Sequence, residues 1–258
     1  MNVRQVRFCM GKPGFLCFAI IAVTLAIHGP ARADLVGYWA GNGNTLDNAG
    51  SHDGVLVNGA TYGAGLVEQC FSLDGVDDYV AVPDAASNDV SNAEGTISAW
   101  VKPSAVGDND IIIAFGSGAG GQGIGLGFWG SVRIYHHFGY YDWQTTTPVA
   151  ANTWTLLTYT WDATKECVYV NGELKESRDR GDFSYVPGYA RIGHGFWGDS
   201  ANLFPGLIDE VRVYDNALSA SEVAALVPEP SSLLLVGTGM LATAFYRLRR
   251  RMKRPLSE

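Results

Sequence analysis

Basic residues are scarce in the body of this 258-residue chain. Of its 18 Lys and Arg, four lie before residue 34 (Arg4, Arg7, Lys12, Arg32) and six after residue 246. Residues 34–227 therefore hold 8 cations against 24 of the 26 Asp and Glu, a formal charge of −16 where the whole chain carries −8. A field of that sign disfavours nucleic acid, phosphate and anionic membranes as partners. It suits cations such as calcium, or neutral ligands such as sugars, and solubility accounts for it equally well. Cysteine is also sparse. Of four, Cys9 and Cys17 sit in the first 33 residues, leaving Cys70 and Cys167. No spacing suits zinc. An oxidising compartment would permit one Cys70–Cys167 disulfide, with two independent buried thiols as the alternative.

Catalytic patterns are missing too. Residues 34–227 contain only His52, His136, His137 and His194, with no Gly-x-Ser-x-Gly turn beside them. A retaining glycosidase needs two carboxylates about 5–5.5 Å apart. On a strand these must fall at i and i+2, because alternate residues share a face. Asp209 and Glu210 are adjacent, so the reading is non-catalytic; a glycoside hydrolase with an unrecognised site is the weaker alternative. The glycine-dense stretch 116–130 lacks the Gly-Lys-Ser/Thr ending of a phosphate loop. Glycines 121, 123, 125 and 127 instead leave one face of a strand flat, open to close approach.

No helix of three turns is legible between 34 and 215. Short runs rich in Val, Ile, Tyr, Trp and Thr recur between Gly, Asn, Asp and Pro, as in Leu35–Trp39, Tyr79–Pro83, Ile111–Phe115, Gly123–Phe128 and Leu207–Tyr214. In Thr96–Lys102 the apolar Ile97, Ala99 and Val101 alternate with Thr96, Ser98, Trp100 and Lys102. Asn171-Gly172 suits a type I′ hairpin. About a dozen such strands predict an all-β, two-sheet antiparallel sandwich. Only Ser219–Leu226 reads as helical, opening on a Ser219/Glu222 capping box.

The two ends differ from the middle. Arg4, Arg7 and Lys12 precede an apolar run, Phe15–Ile27, and the small residues of Ala31-Arg32-Ala33, the layout of a signal peptide over 1–33. At the other end Pro228-Glu229-Pro230 precedes an apolar stretch and a cluster of six cations. Residues 231–246 would extend about 24 Å as a helix, a little short of the ~30 Å bilayer core. A snorkelling Arg247 would complete a membrane anchor with the bulk outside. The tail resembles the PEP-CTERM sorting signals of bacterial surface proteins. That resemblance implies an exosortase-like enzyme acting near Pro228, Glu229 and Pro230, and residence at the cell envelope or in the extracellular matrix. An ordinary anchor with an incidental Pro-Glu-Pro is the alternative.

A second resemblance covers about 35–226. Phe71-Ser72-Leu73-Asp74-Gly75-Val76-Asp77-Asp78-Tyr79-Val80, Thr96–Pro103, Trp154–Asp162, Tyr169-Val170-Asn171-Gly172 and Gly206–Tyr214 with Ala217-Leu218-Ser219 are similar, in order, to the motifs of laminin G-like, concanavalin A-like jelly rolls. Thr155-Leu156-Leu157 departs from that family's His-Val. The resemblance implies a jelly-roll domain over 34–227, with 228–258 as the sorting segment. It also implies one structural calcium ion, for which Asp47 and Asp209 are the matching positions; Asp74 and Asp77 are a weaker choice. Asp209 paired with Arg212 or Arg191 is the competing account. For ligand binding, residues 128–143 hold nine aromatic or imidazole rings. Tyr140, Tyr141 and Trp143, with Trp197 as a second rim, are the candidates to stack on polysaccharide, flanked by Asp142, Gln144 and Asn109. A structural matrix protein without a small ligand is the runner-up reading.

Overall fold

The computed structural model describes residues 34–117, 122–135, 142–181, 185–195 and 202–228. The leader, Glu229, Pro230, residues 231–246, Tyr140, Tyr141 and Trp197 lie outside them. The strands are β1 (Leu35–Trp39), β2 (Val55–Val57), β3 (Thr61–Ala64), β4 (Gln69–Asp74), β5 (Tyr79–Val82), β6 (Gly95–Pro103), β7 (Asp108–Gly116) and β8 (Gly123–Trp129). They continue with β9 (Ser131–Tyr135), β10 (Trp143–Gln144), β11 (Thr155–Trp161), β12 (Lys165–Val170), β13 (Glu173–Asp179), β14 (Tyr189–Ile192) and β15 (Pro205–Tyr214). A 3₁₀ turn spans Asp84–Asp89, and one helix, α1 (Ala220–Ala225), follows the last strand.

Sheet A runs β13-β12-β11-β6-β15-β4-β3, with β1 also paired to β15; sheet B runs β10-β9-β8-β7-β14-β5-β2. The pairs are antiparallel, so the expected two-sheet jelly roll is what forms. Alternation places the core. Ile97, Ala99 and Val101 of β6 face Ile113, Phe115, Leu126 and Ile134 of sheet B within one apolar cluster. Thr96, Ser98 and Trp100 point the other way yet are also buried. On that back face Tyr169, Leu218 and Val223 form a small third layer under α1. The Ser98 and Thr158 hydroxyls bond each other at 2.8 Å, and Thr96 donates to the Asn216 carbonyl while accepting from the Leu218 N–H.

Local chemistry fixes the turns. Asn171 and Gly172 both take positive φ, 51° and 80°, between β12 and β13, the twist a two-residue hairpin requires. Ser219 Oγ accepts from the Glu222 N–H and the Glu222 carboxylate accepts from the Ser219 N–H, closing the capping box. Strand β13 is the second strand that the Asn171-Gly172 hairpin implies, but it has no apolar alternation (Glu-Leu-Lys-Glu-Ser-Arg-Asp) to mark its length, because an edge strand half in water needs none.

The expected disulfide is not there. Cys70 on β4 and Cys167 on β12 are both free thiols. Three strands, β15, β6 and β11, separate them in sheet A. At roughly 4.8 Å per strand spacing, that places them about 19 Å apart, far beyond the ~7 Å Cα separation a disulfide spans. The melting temperature is expected to be the same with and without a thiol reductant; a drop on reduction would contradict this arrangement.

Candidate functional site

The two carboxylates proposed for calcium are used otherwise. Asp47 sits in the loop after β1 and is buried. Its Oδ1 accepts N–H bonds from Tyr38, Ala49 and Gly50, and its Oδ2 accepts from His52, at 2.9–3.1 Å. Burial alone would raise its pKa, but these donors outweigh burial and hold the carboxyl below the usual range. Asp209 on β15 is fully buried; its Oδ2 takes the N–H groups of Leu66 and Val67 at 2.8 and 3.2 Å, bracing the turn between β3 and β4. A cation at Asp47 would have to displace N–H donors from both oxygens, whereas at Asp209 the donors engage Oδ2, and the remaining Oδ1 alone falls far short of the six to eight oxygens calcium takes. Neither residue belongs to a cluster of three metal-ligating groups among the described residues. Asp47 and Asp209 do not fit a shared calcium ion.

The alternative ion pairs for Asp209 also fail. Glu210, next along, takes φ 55° at a bulge in β15, where the register against β6 shifts. That turn rotates Glu210 into the reach of Arg212 and of the Tyr38 hydroxyl, which donates at 2.8 Å. The Arg212 guanidinium lies 4.7 Å over the Tyr38 ring. Burial, and then the Glu210 carboxylate, push the Tyr38 hydroxyl up to about 12. Arg191, the other partner considered, lies on sheet B and bonds His194.

Asp74, Asp77 and Asp78 place one oxygen each within 4.8 Å of one another. Asp74 Oδ1 accepts from the Val76 and Asp77 N–H groups, and Asp78 Oδ2 accepts from the Asp74 N–H. The tight turn into β5 thereby braces itself.

Trp143 needs correcting as well. It is 8% exposed and belongs to the main core. Its register explains why: it pairs with Ile134, an inward residue of β9, so the outward position on β10 is Gln144, opposite Arg133.

The outward face of sheet B gathers exposed aromatic and polar groups. Gly127 pairs with Arg133 and Gly125 with Tyr135. A Cβ at Gly127 would lie 3.1 Å from Tyr135 Cε2, so the flat glycine face expected on β8 is filled by that ring. The Tyr135 hydroxyl donates to the Phe128 carbonyl at 2.8 Å. Ile111, Ala114 and Tyr135 make a buried apolar centre on this face, separate from the main core.

On one side of that centre Trp129 is 43% exposed. The Arg133 guanidinium stacks 4.5 Å over its ring and binds Asp142 at 2.8 Å. Gln144 Nε2 donates to Ser131 Oγ at 2.6 Å and to the Trp129 carbonyl at 3.0 Å. Exposed Asp108 is paired with Trp129 across the strands. On the other side Tyr189 is 42% exposed beside half-buried Tyr79 and Arg191. Of these groups, Trp129, Ser131, Arg133 and Asp142 fall inside the aromatic stretch 128–143 that the sequence singles out, and Gln144 directly follows it. The hairpin at Gly130 (φ 68°) returns the chain so that Ser131 pairs with Trp129, and no sequence signal marks that indole as the outward one.

A paired-sheet sandwich with a polar, aromatic outer face is the architecture of lectin-like domains. Residues 74–224, more than half of the sequence, match the concanavalin A-like lectin/glucanases superfamily, and residues 226–251 match the PEP-CTERM protein-sorting motif. The chain belongs to that superfamily. Among solved structures, domain 4 of AbnA, a GH43 extracellular arabinanase from Geobacillus stearothermophilus in complex with arabinotriose, is similar with a TM-score of 0.65 and 24% identity. The match covers 76% of this chain and 99% of that one. The binding domain of botulinum neurotoxin DC in complex with SialylT matches with a TM-score of 0.59 at 15% identity, over 75% of this chain and 51% of that one. The serotype D binding domain gives 0.56 at 16%, over 75% and 51%. The chain thus spans about half the length of the toxin structures. At such identities the likeness is one of fold. No curated protein matches the sequence.

Proposed function

We propose that this protein is an exported, non-catalytic module that binds extracellular polysaccharide through the outward face of sheet B. Its tail is handled by an exosortase-type enzyme, with residues 231–246 holding it in the inner membrane before it reaches the envelope. Among the described residues no helix is long and apolar enough to cross a membrane, and the tail lies outside them.

One observation carries the binding reading: an indole left 43% exposed beside a polar network that is already ordered. Arg133 occupies one face of Trp129, which leaves the other for the apolar face of a pyranose. Gln144, Ser131 and Asp108 stand where sugar hydroxyls would be bonded. Fixing these groups beforehand reduces the ordering cost of binding. Two of the similar structures support it, being complexes with arabinotriose and with SialylT. No carboxylate pair of glycosidase spacing supports a hydrolytic reading of Asp209 and Glu210, one of which braces a turn while the other holds Arg212.

The test is a glycan array probed with the full chain and with Trp129→Ala. Loss of an exposed aromatic anchor typically costs about 2 kcal/mol, so binding should fall by roughly 30-fold while the melting temperature is unchanged. Undiminished binding by the variant, or an array with no hit for the wild type, would remove this reading.

A further inference from the structure

Arg191 is a positive charge without a counter-ion among the described residues of a strongly acidic domain. Three of the other described arginines face carboxylates: Arg133 with Asp142, Arg178 with Glu166 and Arg212 with Glu210. Arg180 holds the carbonyls of Asn92, Ala93 and Asp162. Among the described residues Arg191 has neither kind of partner. Its guanidinium lies 5.2 Å from the centre of the Tyr79 ring and 4.9 Å from that of Tyr189. Its Nη1 donates to Nδ1 of His194 at 2.7 Å. Because an arginine N–H can only donate, Nδ1 must accept, which fixes the proton of a neutral His194 on Nε2.

The consequence is an oriented fork. With Nη1 committed to His194, the Nε and Nη2 edge has no protein acceptor among the described residues. Two parallel N–H groups on one edge of a guanidinium match the two oxygens of a carboxylate. The strand register puts Arg191 beside Ala114 on β7 and Ala81 on β5, residues too short to fill the space over the sheet. Exposed Tyr189 leaves the position open to solvent. Cation–π contacts hold the group in place without neutralising it.

We propose that Arg191, oriented by His194 and held between Tyr79 and Tyr189, recognises a carboxylate borne by a sugar unit of the polysaccharide. This inference rests on the reading of the sheet B face as a glycan-binding surface, and names one class of sugar it takes: uronic acids. The charge of −16 on residues 34–227 repels a densely anionic polymer, so the fitting polysaccharide carries its carboxylates sparsely among neutral sugars.

The experiment is an NMR titration of the isotope-labelled full chain with sodium D-glucuronate and, separately, with D-glucose at matched ionic strength. Glucuronate is expected to shift the Arg191 Nε–H resonance and the amides of Ala190 and Arg191, whereas glucose shifts the Trp129 indole alone. Arg191→Gln should weaken glucuronate binding at least about tenfold, the loss of a charge-assisted pair, and leave glucose binding and the melting temperature unchanged. Arg191→Lys, which keeps the charge but not the fork, should recover only part of the loss. Equal affinity of the wild type for both sugars overturns the inference and leaves the binding face standing, and this comparison holds even should a variant fail to fold. Unweakened glucuronate binding by a folded Arg191→Gln variant overturns it in the same way. If neither sugar shifts Arg191 or Trp129, the binding face falls with it.

Discussion

Replacing Trp143 with alanine should lower stability by about 3–5 kcal/mol, the usual cost of removing a large buried aromatic. In a domain of this size that corresponds to a fall in melting temperature on the order of 10 °C. The cause is geometric. The Trp143 indole is seated in the core opposite Ile134, and the Arg178 guanidinium lies 5.0 Å from its ring centre. Truncation would leave a cavity at the edge of sheet B and strip Arg178, already bonded to buried Glu166, of its ring contact. Thermal melting of the variant beside Trp129→Ala separates the two indoles: the first should unfold early, the second should melt like the wild type. A Trp143→Ala variant that melts normally but loses glycan binding would mean the ring faces the ligand instead.

Asp209 should make the domain less stable as pH rises. Burial is the largest influence on it, and the two N–H donors from Val67 and Leu66 only partly offset burial, leaving the carboxyl pushed up to about 6. Its Oδ1 is buried with no hydrogen-bond partner among the described residues. A folded-state pKa above the ordinary 3.8 means that the native state holds its proton longer than the unfolded chain does. This contribution is fully present below about 3.8 and is lost as pH rises through about 6. A shift of roughly two units corresponds to on the order of 3 kcal/mol. Asp47 and Asp162 work in the opposite sense, since their lowered values favour folding above the usual carboxylate range. The comparison must therefore be differential. Urea unfolding of wild type and Asp209→Asn at pH 4, 5, 6 and 7 should show the wild type losing stability relative to the variant across that window. Parallel curves for the two proteins would contradict the assignment.

The sequence carried the architecture further than it carried the site. Alternation in Thr96–Lys102 was enough to predict which residues face the core, because a half-buried strand must alternate. The Asn171-Gly172 hairpin and the Ser219/Glu222 cap were legible because their chemistry is local. What escaped depended on register between strands distant in sequence. Trp129 and Trp143 look equivalent in a string of rings, and only the pairing of Trp143 with Ile134 sends one inward and leaves the other out. The same holds for Cys70 and Cys167, whose strands share a sheet but not a neighbour. Asp209 was recognisable as an important position, yet its role depends on a bulge at Glu210 that no local pattern announces, since a glutamate rarely takes φ near 55°. From the sequence Arg191 reads only as an ion-pair partner, because its different setting is visible only once the fold has assigned partners to the other described arginines.

The position of β15 bears on how such a module would withstand tension. It lies between β6 on one flank and β4 and β1 on the other, and α1 follows it directly on the back of sheet A. The Asp34 N–H donates to the Asp215 carboxylate and the Asp215 N–H to the Asp34 carbonyl, so the start of the domain is tied to the end of β15. A pull transmitted through Pro228 would load a strand clamped on both edges, whose hydrogen bonds must shear together rather than unzip singly, while the outward face of sheet B, on the opposite sheet, stays out of the line of force.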